Sequence, residues 1–304
     1  MGMTLINSGA ALARDIKISH SIFAMPFAIF AVFLARPTSD SWGRFAGQLV
    51  LIIGCMITGR TAAMLANRIL DRKIDRDNPR TAGRAVASGR VALHHAIIYF
   101  LWSVFIFIAL CAVFGFLFDN WWPFLLSIPV LAWICLYPLM KQITWLCHLY
   151  LGASLAISPI AAAIAIEPIS ITEIASLWYL AAMVLTWVAG FDIIYALQDI
   201  QVDQNTGINS IPARFGQPKA LWFSRSLHVV SVLCLFLIIM TDQRLATPYF
   251  EGATILVVLL LIVEHVVTTK HGTGKIQLTF FTLNGVISCI LGIAGIVSIL
   301  QVSR

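Results

Sequence analysis

The stretch NRILDRKIDRDNPRTAGR, Asn67 to Arg84, decides the reading of this chain. It packs three acids and six bases into eighteen residues of a protein that is only 11% charged and 60% hydrophobic. What surrounds it is almost uniformly apolar. At 304 residues and a mean hydropathy of +0.90 the chain lies outside the range of soluble globular compositions. The apolar runs divide at charged or Pro/Gly-rich breaks into nine candidates, at residues 18 to 35, 46 to 69, 92 to 118, 121 to 140, 145 to 166, 174 to 198, 219 to 240, 250 to 269 and 277 to 301. Each approaches the ~20 residues that carry a helix across the hydrocarbon layer. Nine buried soluble helices in series would leave almost no polar surface. The expected fold is therefore all-α, a polytopic membrane bundle of about nine transmembrane helices, with residues 1–304 forming one domain.

The basic residues give an orientation. With the N-terminus in the cytoplasm, fifteen Lys and Arg fall inside, among them Arg14, Lys17 and the run from Arg68 to Arg90, and four fall outside (Arg36, Arg44, Arg244 and Arg304). Arg60 lies within a span. This is a positive-inside bias, so the net charge of +6 expresses topology and implies no nucleic-acid partner. Arg14 and Lys17 lead straight into a full-length apolar segment without a clean A-x-A site, so the first span is expected to stay as an anchor. The six Cys show no C-x-x-C spacing and read as small buried hydrophobes, with neither a metal site nor a disulfide implied.

Within the opening stretch, Asn67, Asp71 and Asp75 stand at i, i+4 and i+8. On a helix that spacing drifts only about 40° per step, which keeps the three side chains on one face. A second cluster ends the sixth span, where YALQDIQVD sets Tyr195, Asp199 and Asp203 at the same spacing. Asn67 to Tyr195, Asp71 to Asp199 and Asp75 to Asp203 are each 128 residues, which suggests a repeated four-helix unit with the ninth span outside it. Four carboxylates converging at a membrane rim repel unless cations sit between them. Hard oxygen ligands of this kind suit Mg²⁺, and acids, Mg²⁺ and nearby Arg together are the equipment for holding a diphosphate. For the bases alone a solvated, positive-inside loop is an equal explanation. The paired acidic arrays argue for function, because acids are rarely set twice on a helix face at a membrane rim without one.

At these residues the sequence resembles the UbiA family of membrane aromatic prenyltransferases. NRILDRKID looks like the family's first Asn-x3-Asp-x3-Asp motif and YALQDIQVD like its second, and the similarity extends over essentially the whole chain, including YPLMK after the fourth span. NPRTAGR, TWLCHLYLG, GFDIIYALQD and SIPARFG look most like the subgroup tied to menaquinone made through futalosine, whose relatives often carry a 4-hydroxybenzoate polyprenyltransferase label. The resemblance implies a Mg²⁺-dependent enzyme of ubiquinone or menaquinone biosynthesis, joining the chain of a polyprenyl diphosphate to an aromatic acid in the bilayer, with the active site facing the cytoplasm of a bacterial inner membrane. By motif position it implies Asn67 and Asp71 on one Mg²⁺, Asp199 and Asp203 on the other, and Asp75 attached directly or through water. Tyr137, Lys141, Tyr195 and Arg84 would contact the diphosphate.

Arg60 lies seven residues before Asn67, about two turns deeper on nearly the same face. An Arg at that depth needs a partner. Either it pairs with a buried acid, Asp192 or Glu264, or it receives the acceptor's carboxylate through a two-point contact, which the resemblance favours. Asp192, seven residues before Asp199, is expected to face the same cavity. There it either pairs with Arg60, or stabilises developing positive charge or accepts the ring proton. Glu264 and His265 receive no role, and His94, His95 and His148 are expected to be interfacial. The rival class is a transporter or channel, since intramembrane acids also mark ion pathways. Acids gathered at one rim argue against it. The D-x-x-D-G-x-x-A-R signature of the CDP-alcohol phosphotransferases is absent.

Overall fold

A computed structural model describes residues 5–16 and 23–302. Lys17, the opening residues of the first expected span and Arg304 lie outside the described residues. In chain order the helices are α1 (Leu5–Ile16), α2 (Met25–Ala35), α3 (Trp42–Leu70), α4 (Arg72–Asp77), α5 (Leu93–Phe118), α6 (Trp122–Ile143), α7 (Cys147–Ile166), α8 (Ser170–Glu173), α9 (Ala175–Ala196), α10 (Ile200–Thr206), α11 (Ile211–Thr241), α12 (Pro248–His271) and α13 (Asn284–Val302). Among the described residues eight helices are long and apolar enough to cross a membrane, and α2 is a shorter apolar helix. The chain is a multi-pass membrane helical bundle, as expected.

Starts and breaks follow local chemistry. Ser41, Ser210 and Thr247 accept from the backbone N–H groups of Arg44, Ala213 and Phe250, satisfying donors that a helix start leaves unpaired. Pro26, Pro123, Pro212 and Pro248 sit in first turns, where the missing N–H costs nothing. Gly216 breaks α11 with φ 76° and ψ 165°, a conformation open only to glycine. This break explains why the apolar pattern of the seventh span begins at residue 219 although the helical segment begins at Ile211. It separates a short first segment, Ile211 to Phe215, from the membrane-crossing part.

In lipid, helices gain little from hydrophobic burial against each other, so close van der Waals packing and interhelical hydrogen bonds hold them. At Gly152 of α7 a Cβ would run into the backbone carbonyl of Leu185 in α9, so the two helices touch where only hydrogen fits. On α13 the small face at Gly292 and Gly295 receives Pro26 and Phe30 of α2. Helix α9 lies between α7 and α11, with Trp187, Met183 and Ile194 fully buried. By contrast α5 and α6 turn Trp102, Phe105, Phe116, Leu125 and Ile128 outward, as a lipid-facing wall must. The amphipathic α1, which the apolar-run reading did not register, packs Leu12 and Ile16 beside Leu65 and Ala96.

Candidate active site

Both acid-bearing spans break at the middle residue of their motif, its first acid. Helix α3 stops at Asp71 (φ −84°, ψ 0°) and α4 starts at the next residue. Helix α9 tightens into a 3₁₀ turn over Leu197–Asp199, and after Asp199 (φ −105°, ψ 5°) α10 begins. The two breaks lie 128 residues apart in nearly the same backbone conformation. The sequence reading kept each array on one continuous helix face. The break instead turns the last acid of each array inward on its own short helix, leaving Asp75 and Asp203 buried.

In the first arm, Asp71 Oδ2 accepts from Asn67 Nδ2 at 2.9 Å and from Lys141 Nζ at 2.5 Å. Asn67 Oδ1 accepts from Arg68 at 2.6 Å, and Arg68 lies 3.4 Å from Asp15 of α1. Asp75 Oδ1 accepts from Arg84 at 2.7 Å. In the second arm, Arg80 grips Asp199 in a two-point contact of 2.9 and 2.6 Å and also donates to Tyr195 Oη at 3.0 Å. Asn78 adds a bond to Asp199 at 3.2 Å, and Ser210 donates to Asp203 at 2.8 Å. The loop following the first array thus reaches across to the second.

Burial pushes the Asp71 carboxyl above its ordinary value, against the downward pull of Lys141. Burial pulls Arg80 the other way, yet its bond to Asp199 together with the negative charge of Asp199, Tyr195 and Asp75 around it leaves the guanidinium raised above its ordinary value.

A cavity of about 510 Å³ opens beneath the two arms. Its wall carries Asn67, Asp71, Asp75, Asp199, Asp203, Lys141, Arg84, Tyr137 and Tyr195 near the rim, with Arg60 and Asp192 deeper, and it continues through apolar side chains to Pro123, Ile164 and Ala165. Every residue given a catalytic, metal or substrate role from the sequence lies on this one surface. Of the two acids considered as partners for Arg60, Asp192 is held by His148 at 2.7 Å and Glu264 by Asn284 at 2.9 Å. His148 is therefore not interfacial. It is 3% exposed at the start of α7, with Asp192 on one side and the Ile211 N–H on the other. His95 bonds Ser8 of α1. Glu264 and His265 stand off the cavity wall in a polar cluster with His228, Asn284 and Trp187.

Three participants escaped the sequence reading: Asn78 and Arg80, which brace Asp199, and His148. For Asn78 and Arg80 the signal was the Asn-Pro-Arg turn directly behind the first array, and His148 was placed at the interface instead. Among the described residues no three His, Cys, Asp or Glu side chains converge on one point. The acids stand as one pair per arm, and Asp71 Oδ1 and Asp75 Oδ2 are buried without a hydrogen-bond partner among the described residues. Unpartnered carboxylate oxygens at such depth fit a hard divalent cation that draws its other ligands from phosphate and water.

The profile of the UbiA prenyltransferase family matches residues 24–286. The chain belongs to this family. It is 32% identical over 206 residues to the 4-hydroxybenzoate octaprenyltransferase of Alcanivorax borkumensis, covering 67% of each chain. With that of Vesicomyosocius okutanii it shares 26% over 89% of its own length and 93% of the relative's. The apo UbiA homolog from Aeropyrum pernix K1 superimposes with a TM-score of 0.79 at 30% identity, over 92% of this chain and 98% of that one. A UbiA homolog from Archaeoglobus fulgidus bound to GPP and Mg²⁺ gives 0.71 at 16% identity over 95% and 99%, a likeness of fold. The prenyltransferase is therefore an enzyme, and the transporter reading falls away.

Proposed function

We propose that the enzyme transfers a polyprenyl group from a polyprenyl diphosphate to the ring of an aromatic acid, 4-hydroxybenzoate or a dihydroxynaphthoate, in ubiquinone or menaquinone biosynthesis. The observation that carries this reading is one cavity that holds all of these groups: four acids with Lys141 and Arg84 at its mouth, an arginine and an aspartate deeper, and an apolar floor. A charged group belongs at the mouth, a planar acid in the middle and a hydrocarbon tail on the apolar wall.

Asn67 and Asp71 would hold one Mg²⁺ and Asp199 and Asp203 the other, with Asp75 supporting the first. Bound there, Mg²⁺ supplies neutralisation of the diphosphate as a leaving group. Lys141, Arg84, Tyr137 and Tyr195 bind and orient the diphosphate, and the cationic pair takes up charge as the allylic C–O bond breaks. Arg60 receives the acceptor's carboxylate through a planar two-point contact. The apolar wall excludes water from the allylic cation, which attacks ortho to the phenolic hydroxyl. Positioning and electrostatics carry the reaction, and no Ser, Cys or His nucleophile is needed.

The positive-inside bias supports a mouth on the cytoplasmic face of a bacterial inner membrane. Single-cysteine labelling near Asn78 and Thr206 from the cytoplasmic side, with Asn120 and Asp242 reached only from outside, tests this; the reverse pattern overturns it. The activity test uses purified protein in detergent with Mg²⁺, one polyprenyl diphosphate and a panel of hydroxybenzoate and dihydroxynaphthoate acids. Formation of a carbon-bonded prenyl acid is expected. Release of diphosphate with water as the only acceptor would refute the reading.

A further inference from the structure

His148 and Asp192 form a pair that neither metal binding nor diphosphate binding uses. Both line the cavity below the rim, Asp192 seven residues and so about two helical turns before Asp199. His148 Nδ1 and Asp192 Oδ2 are 2.7 Å apart. The backbone N–H of Ile211, an unpaired donor in the first turn of α11, points at His148 Nε2 at 3.4 Å. These two contacts fix the tautomer: Nε2 accepts, so Nδ1 carries the hydrogen and donates to Asp192. A second proton on Nε2 would face another N–H, which disfavours proton uptake there. Asp192 Oδ1 takes no hydrogen bond from any described residue, and its side chain keeps 13% of its surface open.

We infer that Asp192, held and aimed by His148, is the group that removes the ring proton from the prenylated acceptor. The inference rests on the proposed aromatic-acid reading. A ring π pair forms the new C–C bond as diphosphate departs with the allylic C–O pair. The ring C–H bond then breaks, its electrons restore aromaticity, and the proton bonds to Asp192 Oδ1. Asp192 is thus a catalytic residue and His148 a positioning residue. Arg60 on the same wall, binding the acceptor's carboxylate, would leave the ring edge to Asp192.

The test compares an acceptor carrying deuterium at the attacked ring carbon with its protium form, using the full-length protein and Mg²⁺. Wild type should release the deuterium and show a kinetic isotope effect near one, ionisation being slower than proton loss. Asp192→Asn should lower kcat by about 10²- to 10⁴-fold, the range for a lost general base, and raise the isotope effect well above one. His148→Ala should raise it less, at an unchanged KM for the polyprenyl diphosphate, and His148→Gln, which keeps a donor, should recover part of the rate. A structural role for His148 predicts a lower melting temperature with no isotope effect, and that result overturns its assignment. Deuterium retained in the wild-type product, or an Asp192→Asn isotope effect of one, overturns the inference alone. Failure of wild type to prenylate any aromatic acid removes the underlying reading as well.

Discussion

The two acid-bearing arms share a backbone and differ in everything that surrounds it. Both break at the middle residue of the array, 128 residues apart, and both bury the last acid on a short helix. Yet the most apolar window of the α9–α10 span is 67% buried inside the protein and that of α3 only 28%. Helix α3 faces outward with Val50 and Ile57, whereas α9 is enclosed by its neighbours. The first arm draws its counter-charges from α6 and its own loop, through Lys141 and Arg84. The second draws its counter-charge from the first arm's loop, through Arg80. A repeated break therefore places the acids, and the loop that is not repeated decides which base each acid meets.

If the arms act as one metal site, the symmetric substitutions should be equally damaging. Asp71→Asn and Asp199→Asn should each lower kcat by about 10³-fold or more, ~4 kcal/mol of activation free energy, measured as prenyl transfer against Mg²⁺ concentration. Normal turnover in either would dissolve the pairing of the arms. Next in size is an asymmetric effect. Lys141→Ala strands the buried Asp71 without its cation, and breaking a buried pair costs about 3 to 5 kcal/mol, to be read as a lower melting temperature in detergent. An unchanged melting temperature would mean that Asp71 is solvated in the folded protein.

Arg60→Lys lies below both arms and should leave them alone. It keeps charge but loses the planar contact, so kcat/KM for the acceptor should fall by roughly 1 to 3 kcal/mol while KM for the polyprenyl diphosphate barely moves. Equal loss for both substrates, with reduced stability, would assign Arg60 to structure. The smallest effect belongs to Ser210→Ala, which removes both the α11 cap and the hydroxyl on Asp203, a feature without a counterpart at Asp75. Roughly 1 kcal/mol of stability should be lost. A loss of activity far beyond that would show the hydroxyl to be part of the second arm's chemistry.

The spans were legible because hydropathy over about twenty residues is a local property, and the two arrays because their spacing is a short-range pattern. The break at Asp71 was not, since a single residue near φ −84°, ψ 0° leaves no mark on composition. The pairing of His148 with Asp192 joins residues on α7 and α9, and that of Arg80 with Asp199 joins a loop to a helix end. Such contacts depend on how helices are set against one another, which spacing along one helix does not encode. The amphipathic α1 was passed over because its apolar face is too short to register as a span.

The last helix has a part in assembly. Trp187 of α9 donates to Asn284 at 2.8 Å, Asn284 donates to Glu264 of α12 at 2.9 Å, and the small face of α13 seats Pro26 and Phe30 from the beginning of the chain. Helices α2, α9 and α12 are thus fastened together through α13. Without Asn284 the indole of Trp187 and the carboxylate of Glu264 would lose these bonds, in a medium that offers no water in their place.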